Sequence, residues 1–429
     1  MGSGLAWGTP SVWHGVTWGV AALATAGVIV RPWRLPEYAW AIAGAVILVL
    51  ARLLPPFDAW QGIRKGTDVY LFLVGMMLLA EIARQEGLFD WLAAHAASHA
   101  RGSATRLFAL VYMVGTLVTV FLSNDATAVV LTPAVAAVAR TAKAANPLPY
   151  LLTCAFIANA ASFVLPISNP ANLVIYGSHM PPLLDWLPRY ALPSLASILA
   201  TYGTLWLTQR RALRQPVAAV AEAPVLSTGG RVAGAGIVLT ALVLMAASAL
   251  DWQLGLPTCI AGVLTAAIVL VSARQSPWPV LKDISWGVLP LVAGLFVLVE
   301  ALDKTGVIGL VAGWLRQAET WSLTGATWSV GVLLGLVCNL MNNLPAGLIA
   351  STAVQTAQAS PGVTGAVLLG IDIGPNLSVT GSLATILWLN ALRRDGLHVG
   401  ARDFLRIGAL VMPVSLLAAL AALSLEGVR

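Results

Sequence analysis

Apolar runs of roughly 20 residues, separated by short charged segments, are the feature that most restricts the fold of this 429-residue chain. A helix needs about 20 residues to cross the hydrocarbon core of a bilayer. Only 10% of the residues are charged and 58% are hydrophobic, whereas soluble domains carry about 25% charged residues. The sequence therefore predicts an all-α membrane protein. It excludes soluble enzymes, disulfide scaffolds, disordered chains and nucleic-acid-binding proteins.

Basic residues lie mainly in the loops, so the net charge of +6 does not indicate a nucleic-acid partner. If the N-terminus is outside, 17 of the 24 Lys and Arg residues fall on the inner side, as the positive-inside rule requires. The outer side then holds Arg52, Arg64, Lys65, Arg189, Lys304, Arg316 and Arg429. This distribution predicts that both termini face outward.

The chain also contains an internal repeat. A shift of 219 residues aligns Asn124 with Asn343, and the register holds without a gap over some fifty residues. After a short deletion the shift becomes 213 and sets Asn169 opposite Ser382. Five crossings in each half invert one half relative to the other, which is typical of secondary transporters. The predicted fold has about ten transmembrane helices in two inverted-topology repeats, each with a re-entrant hairpin and an interrupted helix.

One long polar segment divides the chain. Residues 209–231 contain proline, glycine and several arginines, which is typical of a linker. We therefore expect residues 1–208 to form the first repeat and residues 232–429 the second. The charge distribution places the linker on the cytoplasmic side.

Four stretches rich in short polar side chains interrupt the apolar runs. They are hairpin tips at 123–125 and 342–343 and breaks at 168–172 and 376–382. Unpaired backbone groups cost several kcal/mol each in hydrocarbon, so such stretches line a cavity or are buried in protein. Their hydroxyls, amides and free backbone groups can surround a small polar solute. The alternative is that these residues only cap the helix breaks.

Two carboxyl groups lie at membrane depth. Asp125 is at the first hairpin tip and Asp372 precedes the second break, and acids at such positions are candidates for proton exchange. Glu81 and Glu300 lie nearer the helix ends, where capping or snorkelling explains them equally well. Since no Lys or Arg lies beside the breaks, a neutral or cationic solute fits better than a dicarboxylate or phosphate.

The cysteines and histidines predict no metal site and no cofactor. Cys154, Cys259 and Cys338 lie singly in apolar runs without Cys-x-x-Cys spacing, which suggests packing roles. The five histidines lie in or beside loops, and no metal-ligand spacing joins them.

Four segments occur in this order along the chain: FLSNDATAVVLTP, NAASFVLPISNPANLVIY, NNLPAGL and GIDIGPNLSVTGSLATILWL. Over nearly the whole chain they resemble the arsenite efflux permeases of the ArsB type, within the ion transporter superfamily. The resemblance implies a multi-pass protein of the inner membrane of a prokaryote that exchanges arsenite or antimonite for protons. It also implies, in some systems, association with a soluble arsenite-stimulated ATPase.

The resemblance further implies the residues of the site. The implied substrate-binding residues are Ser123, Asn124, Asn169, Asn172, Asn343, Ser378 and Thr380. The implied proton-coupling residues are Asp125 and Asp372. Arsenous acid is an uncharged trihydroxyl molecule at neutral pH, so hydroxyl, amide and carboxylate oxygens can bind it without an arginine.

Two other functions stay open at this point. One is a sodium/proton antiporter or another ion-coupled carrier of the same superfamily. A sodium/proton antiporter would use the same oxygens to replace the hydration shell of a cation, and sodium dependence of transport separates it from an arsenite exporter. An intramembrane aspartyl protease is suggested only by the two membrane-depth aspartates. Asp372 lies in Gly-Ile-Asp-Ile-Gly without a protease motif, and proteolysis does not require inverted repeats.

Overall fold

The computed structural model describes residues 10–177, 180–219, 224–394 and 396–426. Within these ranges all regular secondary structure is helical, and no strand occurs. Six helices are long and apolar enough to cross a bilayer, or seven if one bent pair counts as a single span. The protein is therefore a helical membrane protein. These six or seven helices are selected by length and apolar composition, so shorter and interrupted helices are left out. The prediction of about ten crossings counts those helices as well.

In the described part of the chain, ten α-helices precede the polar segment and ten follow it. The first set is α1 Pro10–Val30, α2 Glu37–Leu50, α3 Pro56–Lys65, α4 Thr67–Gln85, α5 Leu88–Ala100, α6 Ala104–Phe121, α7 Thr132–Thr141, α8 Leu148–Ala160, α9 Pro170–Tyr176 and α10 Leu183–Gln209. The second set is α11 Thr228–Ala249, α12 Gly255–Ala273, α13 Trp278–Asp283, α14 Val288–Lys304, α15 Val307–Trp321, α16 Leu323–Met341, α17 Asn343–Ala357, α18 Pro361–Ile373, α19 Leu383–Arg394 and α20 Ala401–Glu426. A π-helical turn, Ala126–Leu131, leads directly into α7.

Helix boundaries recur at the two shifts found in the sequence. Helices α6 and α16 begin 219 residues apart, and α8 and α18 begin 213 residues apart. Gly87 and Gly306, which precede α5 and α15, have φ angles of +73° and +82°, a conformation that glycine adopts without strain. Ser103 and Ser322 each cap the next helix by accepting a hydrogen bond from the backbone N–H three residues on. Equivalent sequence signals therefore start equivalent helices.

The polar segment lies between α10 and α11. The structure begins α11 at Thr228, so the last four residues of the predicted linker are helical. Ser227 caps this helix, since its Oγ accepts a hydrogen bond from Gly230 N at 2.8 Å. The cap lets two glycines that are typical of loops form the first helical turn.

Several helices of each half pack against the other half, and two of these contacts are related by the repeat. Helix α4 packs against α12, and α14 packs against α2. Gly75 of α4 lies against Gly262 of α12, and a Cβ on Gly75 would lie 2.2 Å from the carbonyl oxygen of Thr258. Asp68 Oδ1 also accepts a hydrogen bond from Gly255 N, at 2.7 Å. Small residues at such crossings let membrane helices approach closely and pack without a hydrophobic driving force.

Ion pairs near the helix ends also join the first half of the chain to the second. Glu81 of α4 accepts a hydrogen bond from Arg84 Nε at 2.8 Å, and Arg84 Nη2 donates to Asp283 of α13 at 2.7 Å. Glu300 of α14 accepts from Lys65 Nζ of α3 at 2.6 Å. The buried carboxylates of Glu81 and Glu300 thus have cationic partners, as buried charges require.

Candidate functional site

A small cavity lies where segments 123–125, 168–172, 342–343 and 376–382 meet, and its empty space of about 400 Å³ includes space open to solvent. The lining residues are Val69, Leu73, Asn124, Asp125, Asn169, Pro170, Val288, Val292, Asn343, Leu344, Ser382, Leu383 and Ala384. Four of them are predicted site residues: Asn124, Asp125, Asn169 and Asn343. The structure therefore brings together polar residues from both halves of the chain.

Four helical segments begin at the cavity, and a side chain caps each one. The capping residues are Ser123, Asn342, Asn169 and Ser382. Each accepts a hydrogen bond from a backbone N–H of the first helical turn, at 3.0–3.3 Å. The positive ends of these helices thus surround the cavity and attract electron-rich oxygen atoms. Ser382 was not among the predicted site residues, although the 213-residue shift places it opposite Asn169.

Asp372 lies behind the cavity wall rather than in it. The residue is 1% exposed, and its Oδ1 accepts a hydrogen bond from Asn169 Nδ2 at 2.7 Å. Its Oδ2 has no hydrogen-bond partner among the residues that the structure describes. Asn169 itself lines the cavity, so a change at Asp372 reaches the cavity through the amide of Asn169.

Asn172 also lies outside the cavity lining. Its Nδ2 donates to the carbonyl oxygen of Ser162 at 2.9 Å and so closes the first break. Its Oδ1 is buried, without a partner in the described part of the chain. Ser123, as the cap of the first tip, lies one residue before the cavity lining.

A side chain that the sequence analysis missed holds the second break. Asn339 Oδ1 accepts a hydrogen bond from Ser378 Oγ at 2.7 Å, and Thr380 Oγ1 donates to the backbone oxygen of Asn339 at 2.9 Å. Asn339 Nδ2 donates to Gly374 O at 3.0 Å. Ser378 and Thr380 thus bind the end of α16 rather than line the cavity. The signal for Asn339 was weak, because it is a single amide in the last turn of an apolar helix.

A pair of asparagine side chains also joins the two interrupted helices. Asn159 Nδ2 donates to Asn376 Oδ1 at 3.0 Å, and Asn376 Nδ2 donates to Phe156 O at 3.0 Å. Asn376 is fully buried and lies in the break after α18. Together with the Asn169–Asp372 hydrogen bond, this pair fixes the two breaks relative to each other.

Asp125 is the only charged residue among those that line the cavity. It is partly exposed, and its backbone N–H donates to Asn124 Oδ1 at 2.9 Å. None of the cysteines lines the cavity, and Cys154 and Cys338 are fully buried. The described residues contain no group of three or more His, Cys, Asp or Glu side chains that could hold a metal ion. The cavity therefore offers amide and hydroxyl oxygens together with the carboxyl group of Asp125.

Comparison with known proteins gives one family and several relatives. The family model CitMHS, described as a citrate transporter, matches residues 23–371. The arsenical pump membrane protein of Escherichia coli strain K12 is 26% identical over 408 residues, which cover 90% of this chain and 92% of the relative.

Two solved structures resemble the whole chain. The YdaH transporter of Alcanivorax borkumensis has a TM-score of 0.57 and 18% sequence identity, with 98% of both chains covered. MtrF of Neisseria gonorrhoeae, described within a class of antimetabolite efflux pumps, has a TM-score of 0.54 and 13% identity, with 98% of this chain and 95% of MtrF covered. At these identities the two structures indicate a shared fold.

Proposed function

The chain belongs to the CitMHS family of citrate transporters, and we propose that it exports arsenite and antimonite from the cytoplasm in exchange for protons. It is a membrane transporter homologous to arsenical pump proteins. The substrate in this proposal comes from the names of those relatives and from the chemistry of the cavity. A soluble ATPase that docks on the cytoplasmic side belongs to the same proposal.

The observation that supports this substrate is a group of five short polar side chains in an otherwise apolar lining, with no Lys or Arg among the lining residues. Arsenous acid carries no charge at neutral pH, so its transfer into such a cavity avoids the large cost of burying an unpaired ion. Its hydroxyls can donate to the carboxylate of Asp125 and to the amide oxygens of Asn124 and Asn343. In this proposal Ser123, Asn172, Ser378 and Thr380 shape the site, and the residues of the cavity lining contact the substrate.

Citrate is the second candidate, favoured by the family description and by the helix N-termini at the cavity. Such N-termini bind carboxylates without a basic side chain. Two features oppose it: Asp125 would repel a carboxylate, and no Lys or Arg lines the cavity. A citrate site in this cavity would therefore need a cation to accompany the substrate.

We assign proton coupling to Asp125 and Asp372. Asp125 contacts the cavity directly, so a proton and the substrate would compete for its carboxylate oxygens. Asp372 has one oxygen bonded to Asn169 and one without a partner, so a proton on Oδ2 would leave the Asn169 hydrogen bond in place. The two acids thus have different roles, one in substrate contact and one behind it.

The proposed topology has ten crossings in two inverted repeats, with both termini outside and the linker inside. A single cysteine introduced as Ser3→Cys should react with a membrane-impermeant thiol reagent added to intact cells. One introduced as Ala218→Cys should react only after the cells are opened, because the proposed topology puts the linker inside. Ala218 is exposed, so the reagent can then reach it. The opposite labelling pattern would reject this orientation.

The function is tested with inside-out membrane vesicles that are acidic inside. Vesicles containing the protein should accumulate radioactive arsenite, and a protonophore should abolish the accumulation. Vesicles from cells without the protein are the control. Accumulation of citrate without arsenite would favour the second candidate, and proton efflux driven by sodium alone would favour a sodium/proton antiporter.

A further inference from the structure

A second, smaller cavity lies beside the candidate site and shares two residues with it. Leu344 and Leu383 line both cavities. Helix α14 contributes to the walls of both cavities. Its residues Val288 and Val292 line the first cavity, and Leu291 lines the second. The two leucines and α14 therefore stand between the two spaces.

The two leucines mark a difference between the repeats. The 219-residue shift sets Leu344 opposite Asp125, and the 213-residue shift sets Leu383 opposite Pro170. All four residues line the first cavity. The first half therefore contributes an acid at the position where the second half contributes a leucine.

The second cavity has a polar end. Glu37, in the first turn of α2, lines it and forms an ion pair with Arg31. The side chains of Arg31 and Glu37 are 23% and 19% exposed, so both residues are partly buried. By the predicted topology the turn between α1 and α2 is on the cytoplasmic side. The second cavity thus lies between the candidate site and a partly exposed ion pair.

We propose that Leu344 and Leu383 form an apolar septum through which substrate passes between the Glu37 cavity and the site, and that this septum excludes ions. Hydrophobic constrictions block hydrated ions because water leaves them. An uncharged trihydroxyl acid crosses at a far lower desolvation cost than a sodium ion or a carboxylate does. The two leucines would thus select for uncharged solutes before any contact with the polar site. The choice of substrate rests on the proposed function, whereas the septum itself does not.

The septum is tested by thiol accessibility in inside-out vesicles without arsenite. Two variants on adjacent residues of α14 report the two sides: L291C faces the Glu37 cavity and V292C faces the site. A charged methanethiosulfonate should modify L291C at least about tenfold faster than V292C, because the reagent cannot cross a dry constriction. The parent chain with its native cysteines gives the background rate.

Opening the septum should remove this difference. Adding L344A to V292C should raise its labelling rate toward that of L291C. Adding L348A, which truncates a buried leucine of α17 that lines neither cavity, should leave the rate unchanged. Equal rates for L291C and V292C without L344A, or no effect of L344A on V292C, would overturn the proposal.

A measurement without cysteines covers the case in which a labelled variant does not fold. Liposomes containing L344A should leak sodium several-fold faster than liposomes containing L348A or the parent chain. An equal leak in all three would overturn the septum. Neither experiment contains arsenite, so failure of arsenite transport and failure of the septum are separate results.

Discussion

Replacing Asp125 or Asp372 with asparagine should reduce proton-driven arsenite export by at least about tenfold, which corresponds to about 1.4 kcal/mol. Asparagine keeps the size of the side chain and removes the group that takes up a proton. Asp125 lines the cavity, so D125N should also raise the KM for arsenite. Asp372 contacts the cavity only through Asn169, and an asparagine there can still accept that hydrogen bond. D372N should therefore lower the maximal rate and flatten its pH dependence with little change in KM.

The measurement is the initial rate of arsenite uptake into inside-out vesicles over a range of imposed proton gradients. D90N is the matched control, since Asp90 is an exposed acid of α5 outside the cavity lining. Its rate and pH dependence should equal those of the parent chain. If D125N and D372N both transport at the parent rate with the parent pH dependence, neither acid carries the coupling proton.

Adding a single methyl group at Gly75, in the variant G75A, should strongly destabilise the protein. A Cβ at this position would lie 2.2 Å from Thr258 O, 2.5 Å from Thr258 C and 2.8 Å from Cys259 N. These are backbone atoms of α12, so relief requires a shift of the helix rather than a new side-chain rotamer. Overpacking of this kind typically costs about 1–3 kcal/mol. In the G75A variant, α4 and α12 should separate at a lower temperature than in the parent chain.

Two further glycines calibrate this effect. G294A, at the repeat-related contact of α14 with α2, should destabilise less, since its Cβ would lie 2.8 Å from the nearest atom of Ala41. G309A should be neutral or stabilising, because nothing lies within 4 Å of the added Cβ and alanine favours a helix by up to about 1 kcal/mol over glycine. The measurement is the fraction of detergent-solubilised protein that remains monodisperse after heating. Equal losses for G75A and G309A would contradict the close packing of α4 and α12.

The sequence indicates where helices are interrupted near the candidate site, because the signals for a helix break are local. Asn169 is an example: an amide before a proline in an apolar run is a strong sign of a capped helix start, and the structure has that cap. Ser123 is a further short polar residue in an apolar run that caps a helical segment. Ser382 could have been found as well, since the repeat sets it opposite Asn169.

Contacts between distant segments could not be predicted in the same way. Asn339 holds the second break through Ser378 and Thr380, which are far along the chain, and its apolar neighbours give no hint of this role. The packing of α4 on α12 was equally hidden, because two apolar helices with small residues can pack on many partners. The sequence thus indicates where helices start and stop, whereas the structure shows which of them meet.

The exchange of α4 and α14 between the halves has a consequence for how the chain is synthesised. Asp68 of α4 and its partner Gly255 of α12 are separated by 187 residues. At about 5–20 residues per second, the ribosome needs roughly 10 to 40 seconds to produce that interval. During this time α4 is in the bilayer without α12, the helix that packs against Gly75. Helix α14, by contrast, finds α2 already in place. The N-terminal half therefore completes its packing only after the C-terminal half has been made. A ribosome that stops in the linker releases a fragment in which α4 lacks its partner helix.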